Sequence, residues 1–309
     1  MKPESSIHQS ENFTVLIPGA AGAWGTKICE AARSLGWNVL PHDPGKIDPP
    51  VVTDIRDAAA QADAVIICTP ESEIPAILAE IRDRVHIIIE IATVKRALTP
   101  LEEELDAEGK SVCSTHPMVL ADSNTSGHNV LLMPIGMNAD RATDVATKLF
   151  TALGMRMQKT TVKEHNETIA PLTQLSPHLV QQTIAAALAE FQTSSGISPL
   201  DIIRNCGAAN TFFTEWAMGR TLMSPKASTT SASIIIEGLK TEAGRKIVKS
   251  LGKAFKTILK AAKNGDVEFL ASFLETSKKT LTPTGEWQDR MKTETNQILE
   301  TQMSLRHKK

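Results

Sequence analysis

The stretch Val15-Leu-Ile-Pro-Gly19-Ala-Ala-Gly22-Ala-Trp-Gly25-Thr-Lys-Ile-Cys-Glu-Ala-Ala32 sets three glycines between a short apolar run and a helix-forming run. Each glycine has a separate physical task. Gly19 lets the chain turn sharply off a strand, Gly22 lets backbone amides approach a pyrophosphate, and Gly25 lets the following helix pack closely on the sheet. The amino terminus of that helix would face the phosphates with unpaired N–H groups and a partial positive charge, and Ala23 and Trp24 between the glycines are expected to join the cofactor contacts. A glycine match alone is weak evidence, so context has to decide. A second apolar run, Trp37-Asn-Val-Leu-Pro-His-Asp43, ends in an acidic residue at about the distance where a carboxylate accepts hydrogen bonds from ribose hydroxyls. A carboxylate there repels a 2′-phosphate, so NAD is expected over NADP. The plainer alternative is that Asp43 merely opens an Asp-Pro-Gly turn.

Working outward, the chain has two rhythms. From Phe13 to about Met157, short runs rich in β-branched residues alternate with helical stretches: Thr14–Pro18, Trp37–Leu40, Ala64–Cys68, His86–Ile91, Ser111–Ser114 and Val130–Pro134 read as strands. Such alternation implies a parallel sheet flanked by helices. Ligands bind at the carboxyl ends of such strands, which here carry Thr69-Pro70, Ala92-Thr93-Val94-Lys95 and Thr115-His116-Pro117-Met118. After about Val162 the sequence turns helical: His165–Phe191, Pro199–Met223, Ser231–Asn264 and Asp266–Thr280, with Pro177 either kinking the first of these or marking a helix start. The expected architecture is an α/β Rossmann-type dinucleotide-binding domain over residues 13–162, then an all-α substrate and dimerisation domain over 163–309. Residues 1–12 are polar and read as a disordered lead-in.

Composition closes off several classes. A net charge of −2 gives no electrostatic case for nucleic acid, and no apolar run reaches the ~18 residues of a membrane span. Cys29, Cys68, Cys113 and Cys206 lie far apart, mostly in apolar stretches, which suits buried thiols in a reducing, cytoplasmic setting better than disulfides or a metal site. In the helical half, Ile234-Ile235-Ile236 and the stripe Leu251, Phe255, Ile258 and Leu259 exceed what a small bundle covers alone, so a homodimer through that half is expected.

Four further motifs follow the glycine turn in order: Ile91-Ala-Thr93-Val-Lys95, Thr115-His116-Pro117-Met118, Glu164-His165-Asn166 leading to Gln174-Leu-Ser-Pro-His178, and Glu215-Trp-Ala-Met-Gly219-Arg220. In order and spacing they resemble the prephenate/arogenate dehydrogenase family, over nearly the whole chain. The resemblance implies oxidative decarboxylation of a prephenate-type cyclohexadiene with a nicotinamide cofactor and no metal. By its match to the family's His-Pro-Met motif, His116 is the expected proton acceptor, since a neutral imidazole suits that role. Thr93 stands where these enzymes usually carry serine and would bond the same substituent. Arg220 matches the arginine used on a substrate carboxylate, where a planar fork binds bidentately. His178 matches a second pocket histidine, and Gln174, Met118 and Val119 complete the expected substrate-contacting set. His165 is expected to order the joint between the halves.

One departure bears on the substrate. Bacterial prephenate enzymes commonly read His-Pro-Met-Phe-Gly-Pro, whereas Met118 is followed here by Val119-Leu120-Ala121-Asp122. Loss of an aromatic and a glycine near the ring favours 4-amino-4-deoxyprephenate, a substrate of similar enzymes, with prephenate itself as the alternative. Two other readings compete. A β-hydroxyacid or imine dehydrogenase would place a lysine on the first helix after the joint, where none lies. A non-catalytic NAD sensor would need only the glycine turn, not Thr93, His116, His178 and Arg220 together.

Overall fold

The structure is a computed structural model that describes residues 13–44, 54–121, 123–196 and 227–281. The residues 1–12 and the run Pro199–Met223, with Arg220 and Cys206, lie outside the described part. The chain divides into two compact units, Met1–Thr168 and Ile169–Lys309.

In the first unit the apolar run after Phe13 forms β1 (Thr14–Pro18), whose side chains from Val15 onward are buried on both faces. Continuous burial of this kind is what a strand covered by helices on both sides requires. Six more strands follow: β2 (Asn38–His42), β3 (Ala64–Ile67), β4 (Ile87–Glu90), β5 (Ser111–Pro117), β6 (Asn129–Ile135) and β7 (Arg156–Lys159). They join in the order β2-β1-β3-β4-β5-β6-β7. The flanking helices are α1 (Ala23–Ser34), α2 (Ile55–Gln61), α3 (Ile74–Ile81), α4 (Thr99–Ala107) and α5 (Asp140–Ala152). The core joins sheet and helices: Val15, Ile17, Ile66 and Ile89 pack with Ile28 and Ala32 of α1 and Leu149 and Phe150 of α5.

Three sequence expectations are corrected here. The sheet is not wholly parallel, because β6 runs antiparallel to β5, with His116 opposite Leu131. The connection from Met118 to His128 has no helix among its described residues, and a crossover to a parallel strand needs a dozen or more residues, so the chain returns antiparallel. β7 has no counterpart among the expected strands: Arg-Met-Gln-Lys is a polar, mostly exposed edge strand and carries no apolar signal. β5 also runs through Pro117 rather than stopping at Ser114, which puts His116 inside the strand.

Near the end of the first unit lies a turn of helix, Val162–Glu164, opened by the Thr161 hydroxyl, which accepts the Glu164 N–H at 3.0 Å. Two π-helical turns follow, His165–Ile169 and Pro171–Leu175, before α6 (Ser176–Ser195). Pro177 is the second residue of α6 and so marks a start, where a missing N–H costs nothing. The run expected as one helix over Ser231–Asn264 is two, α7 (Ala227–Leu239) and α8 (Glu242–Lys263), and α9 (Val267–Leu281) comes last among the described elements. The break falls at Thr241, whose hydroxyl accepts the Gly244 N–H at 2.9 Å and caps α8.

Candidate active site

In the order β2-β1-β3 successive strands are added on opposite sides of β1, all parallel, and ligands of such sheets bind outside the carboxyl ends of the strands at that switch point. The glycine turn lies there. Gly19 has φ +82°, and a side chain on it would come within 2.8 Å of the Cys68 carbonyl oxygen and the Thr69 nitrogen, so only glycine fits between the ends of β1 and β3. A Cβ on Gly25 would lie 2.0 Å from the Gly19 carbonyl oxygen, so α1 packs directly onto the turn. Gly22 is the least constrained of the three, a helix cap with φ −69°. Trp24 is half-buried and packs against the core.

α1 opens with no side-chain cap and no acidic residue in its first turn, leaving its amino-terminal field uncancelled. Asp43, just past β2, accepts the Ala21 N–H at 3.1 Å, so its carboxylate is held against the turn. Thr69 contributes a buried hydroxyl without a hydrogen-bond partner, beside Pro70 at the end of β3. An orphaned buried hydroxyl at a switch point is a group left for a ligand to satisfy. These residues could hold a dinucleotide, with the uncapped start of α1 toward the phosphates, Asp43 toward a ribose and Thr69 lining the crevice.

At the end of β5, His116 is 5% exposed and its Nδ1 lies 3.2 Å from Nε2 of the fully buried His165. His165 Nδ1 in turn faces Asn166 Oδ1 at 3.1 Å. Behind β5 lies a buried polar cluster. The Lys95 ammonium donates to the Glu90 carboxylate and, at 2.7 Å, to the Thr115 carbonyl. The Ser114 hydroxyl donates to the same Glu90 oxygen, and the Ala92 N–H donates to the other at 2.6 Å. This ion pair is fully sequestered, and removing one partner of such a pair costs about 3–5 kcal/mol. It anchors the turn carrying Thr93 to the strand carrying His116. Thr93 itself is half-buried. Glu102 of α4 sits beside Glu90 and Ser114, but neither of its oxygens meets hydrogen-bond geometry. Burial, and next the Glu90 charge, push it up to about 8, so it is protonated at neutral pH.

Burial is also the largest influence on the histidines. It holds His116 well below its ordinary value, helped by the Lys95 charge and by His165. His165 is held down to about 4, with the Asn166 hydrogen bond and the Glu90 charge opposing burial and Lys95. Both imidazoles are neutral at neutral pH. Met118 and Val119 follow His116: the Met118 N–H donates to the Asn129 carbonyl at 2.9 Å, and Val119 packs against the core.

In the second unit Gln174 is buried in a π-helical turn, a distortion often found at functional sites. His178, one turn on, donates from Nδ1 to the Gln174 carbonyl at 2.8 Å, leaving Nε2 as its basic nitrogen. The structure thus gathers Gly19, Gly22, Gly25, Asp43 and Thr69 at one sheet edge and ties Thr93 to His116 through Lys95 and Glu90. Sequence reasoning missed the partnership of His165 with His116, and it missed Glu90 and Glu102. The signal available for Glu90 was a carboxylate inside the apolar run His86–Ile91. Among the described residues no group of three or more His, Cys, Asp or Glu is arranged to hold a metal ion.

No family model matches the chain, and no curated protein matches it in sequence. Solved structures do. The Synechocystis arogenate dehydrogenase superposes with a TM-score of 0.64 at 15% identity, over 87% of this chain and 98% of that one. Prephenate dehydrogenase from A. aeolicus, in complex with hydroxyphenyl propionate and NAD+, gives 0.64 at 18% identity, over 90% and 98%. A putative prephenate dehydrogenase from Corynebacterium glutamicum gives 0.60 at 14% identity, over 89% and 95%. The chain has the fold of the prephenate and arogenate dehydrogenases.

Proposed function

We propose that this protein is an NAD-dependent dehydrogenase that oxidatively decarboxylates a prephenate-type cyclohexadiene. The observation that carries the reading is a buried, neutral His116 at a strand end, on the same sheet edge as a glycine turn fitted for a dinucleotide. Fold likeness to the arogenate and prephenate dehydrogenases supports it. Gly19, Gly22, Gly25 and the first residues of α1, Ala23 and Trp24, would hold the phosphates, with Asp43 on the ribose and Thr69-Pro70 lining the crevice. When bound, NAD supplies the acceptor for the hydride that leaves the ring carbon bearing the hydroxyl or amine. His116 takes the proton from that substituent. As hydride departs, the substituent becomes strongly acidic, so a neutral imidazole of low basicity suffices. Loss of the ring carboxylate as carbon dioxide then restores aromaticity. Thr93 orients the substituent, while Arg220, His178 and Gln174 receive the substrate's carboxylates and polar edge. The helical unit pairs with a second copy, since Phe255 and its neighbours present an apolar face.

The substrate within this class is 4-amino-4-deoxyprephenate, with prephenate the second choice. Val119 stands where prephenate enzymes carry an aromatic, and a valine that packs into the core leaves room beside the reacting carbon. Reduced-nicotinamide formation with prephenate, arogenate and the 4-amino compound, each with NAD and with NADP, tests the reading. The expected result is the 4-amino compound used best, with NAD, and Val119→Phe shifting preference toward prephenate. Prephenate used equally well, with no response to the substitution, would return the chain to ordinary prephenate oxidation.

A further inference from the structure

The hydrogen bonds running back from His116 have a direction. The Asn166 carboxamide oxygen faces His165 Nδ1 at 3.1 Å, and a carboxamide oxygen only accepts, so His165 carries its proton on Nδ1. A neutral imidazole has one N–H, so His165 Nε2 is an acceptor. His116 Nδ1, 3.2 Å away, must then be the donor. We infer that His165 and Asn166 are positioning residues that lock His116 in the tautomer with its proton on Nδ1, making Nε2 the nitrogen that takes the substrate's proton. This inference rests on the proposed dehydrogenase function and adds a role to two residues that touch neither substrate nor cofactor in that reading.

The surroundings fit a lock. His165 is fully buried and lies in a π-helical turn, where the widened helix sets its ring against the end of β5. The two rings meet edge to face, with planes 76° apart. The charged groups acting on the pair are Lys95 and Glu90, themselves paired, with protonated Glu102 behind them. In the reaction, the bond between the substrate's heteroatom and its proton breaks and an N–H bond forms at His116 Nε2. The carboxamide does not accept that proton, so it stays on the histidine pair until loss of carbon dioxide leaves the heteroatom with an electron pair that takes it back. An aspartate at 166 would behave differently: its charge would favour a protonated pair.

The test has an arm that needs no turnover. In 15N-labelled protein at neutral pH, long-range proton–nitrogen correlations should show His116 protonated at Nδ1. Asn166→Ala should give a mixture of the two tautomers. A His116 protonated at Nε2 in the unmodified protein, or a tautomer indifferent to Asn166→Ala, overturns the inference. The kinetic arm uses whichever prephenate-type compound the turnover comparison identifies as substrate. Removing an orienting partner of this kind typically costs about tenfold to a hundredfold, so Asn166→Ala should lower kcat by that much with KM changed by less than about threefold. Asn166→Asp should keep kcat within a few-fold and move the acid limb of the pH profile upward by about one unit, because a carboxylate raises the basicity of the pair. An unmoved acid limb overturns the inference and also serves should the alanine variant fail to fold. If no prephenate-type substrate is turned over, the proposed function fails and the tautomer measurement alone decides this inference.

Discussion

His116 shows how one side chain is made useful by its surroundings. Burial keeps it uncharged, and Lys95, bonded to the carbonyl of the neighbouring Thr115, makes a positive charge there still less favourable. A group held well below neutrality is unprotonated at every physiological pH, which suits the proton-acceptor role proposed for it, at the cost of intrinsic basicity. If it is the proton acceptor, His116→Asn should lower kcat by roughly two to four orders of magnitude while NAD affinity changes little, because the residues proposed to hold phosphate and ribose lie at the ends of other strands. Activity within a few-fold of the unmodified enzyme would reject the assignment; single-turnover kinetics with separately measured NAD binding decides it. Much of this was legible at residue scale, since Gly19, Gly25 and Asp43 sit where their spacing places them. His165 was not legible as the partner of His116. The two are 49 residues apart, and only the register of β5 and the π-helical turn bring the rings together.

At the scale of elements, β4, β5 and α4 share an interior that strand patterns do not reveal. β4 ends in Glu90, β5 contributes Ser114, the turn after β4 contributes Lys95, and α4 turns Glu102 inward. The run of isoleucines in β4 was readable as a buried strand, but a period of two cannot say which partners satisfy a carboxylate at its end. Helix boundaries failed for a related reason: the break at Thr241 depends on one capping hydroxyl inside an otherwise apolar run. The Glu102 carboxyl yields a prediction whose sign is fixed. Its folded value, about 8, lies above the ordinary 4.5, so the folded protein binds a proton that the unfolded chain has released. Its favourable contribution is therefore complete below about 4.5 and is lost as pH rises through about 8. Glu102→Gln keeps a neutral, similarly shaped side chain and removes that loss. Denaturant midpoints for the two proteins should nearly coincide at about pH 4 and diverge toward pH 9, with the substituted protein the more stable. Parallel stability curves, or a growing deficit for the substituted protein, would show Glu102 to be ionised in the fold.

For the whole molecule, the two units are covered to different degrees. In the first, helices on both faces bury the sheet, and single exposed apolar residues such as Met137 stand alone. In the second, α8 keeps Lys249, Lys253, Lys256 and Lys260 on one face, while Phe255 is 68% exposed and Ile258 and Leu259 are about two-fifths exposed. Val267, Phe269 and Leu274 of α9 and Ile236 of α7 are exposed as well. The helical pattern was legible in the sequence because a stripe at helical spacing survives any tertiary context. What covers the stripe was not, since the same pattern serves a core or a partner. Several exposed large apolar side chains on neighbouring helices point to association, and in a homo-oligomer the simplest closed solution is a two-fold dimer in which each copy covers the other's stripe. Light scattering at micromolar concentration should accordingly give the mass of two chains. Phe255→Glu should shift that mass toward one chain, because a charge at the centre of an apolar interface is left unpaired and desolvated, at a cost of several kcal/mol. Circular dichroism unchanged by the substitution would separate lost association from lost folding. A stable monomer of the unmodified protein would mean that the stripe is covered within one chain.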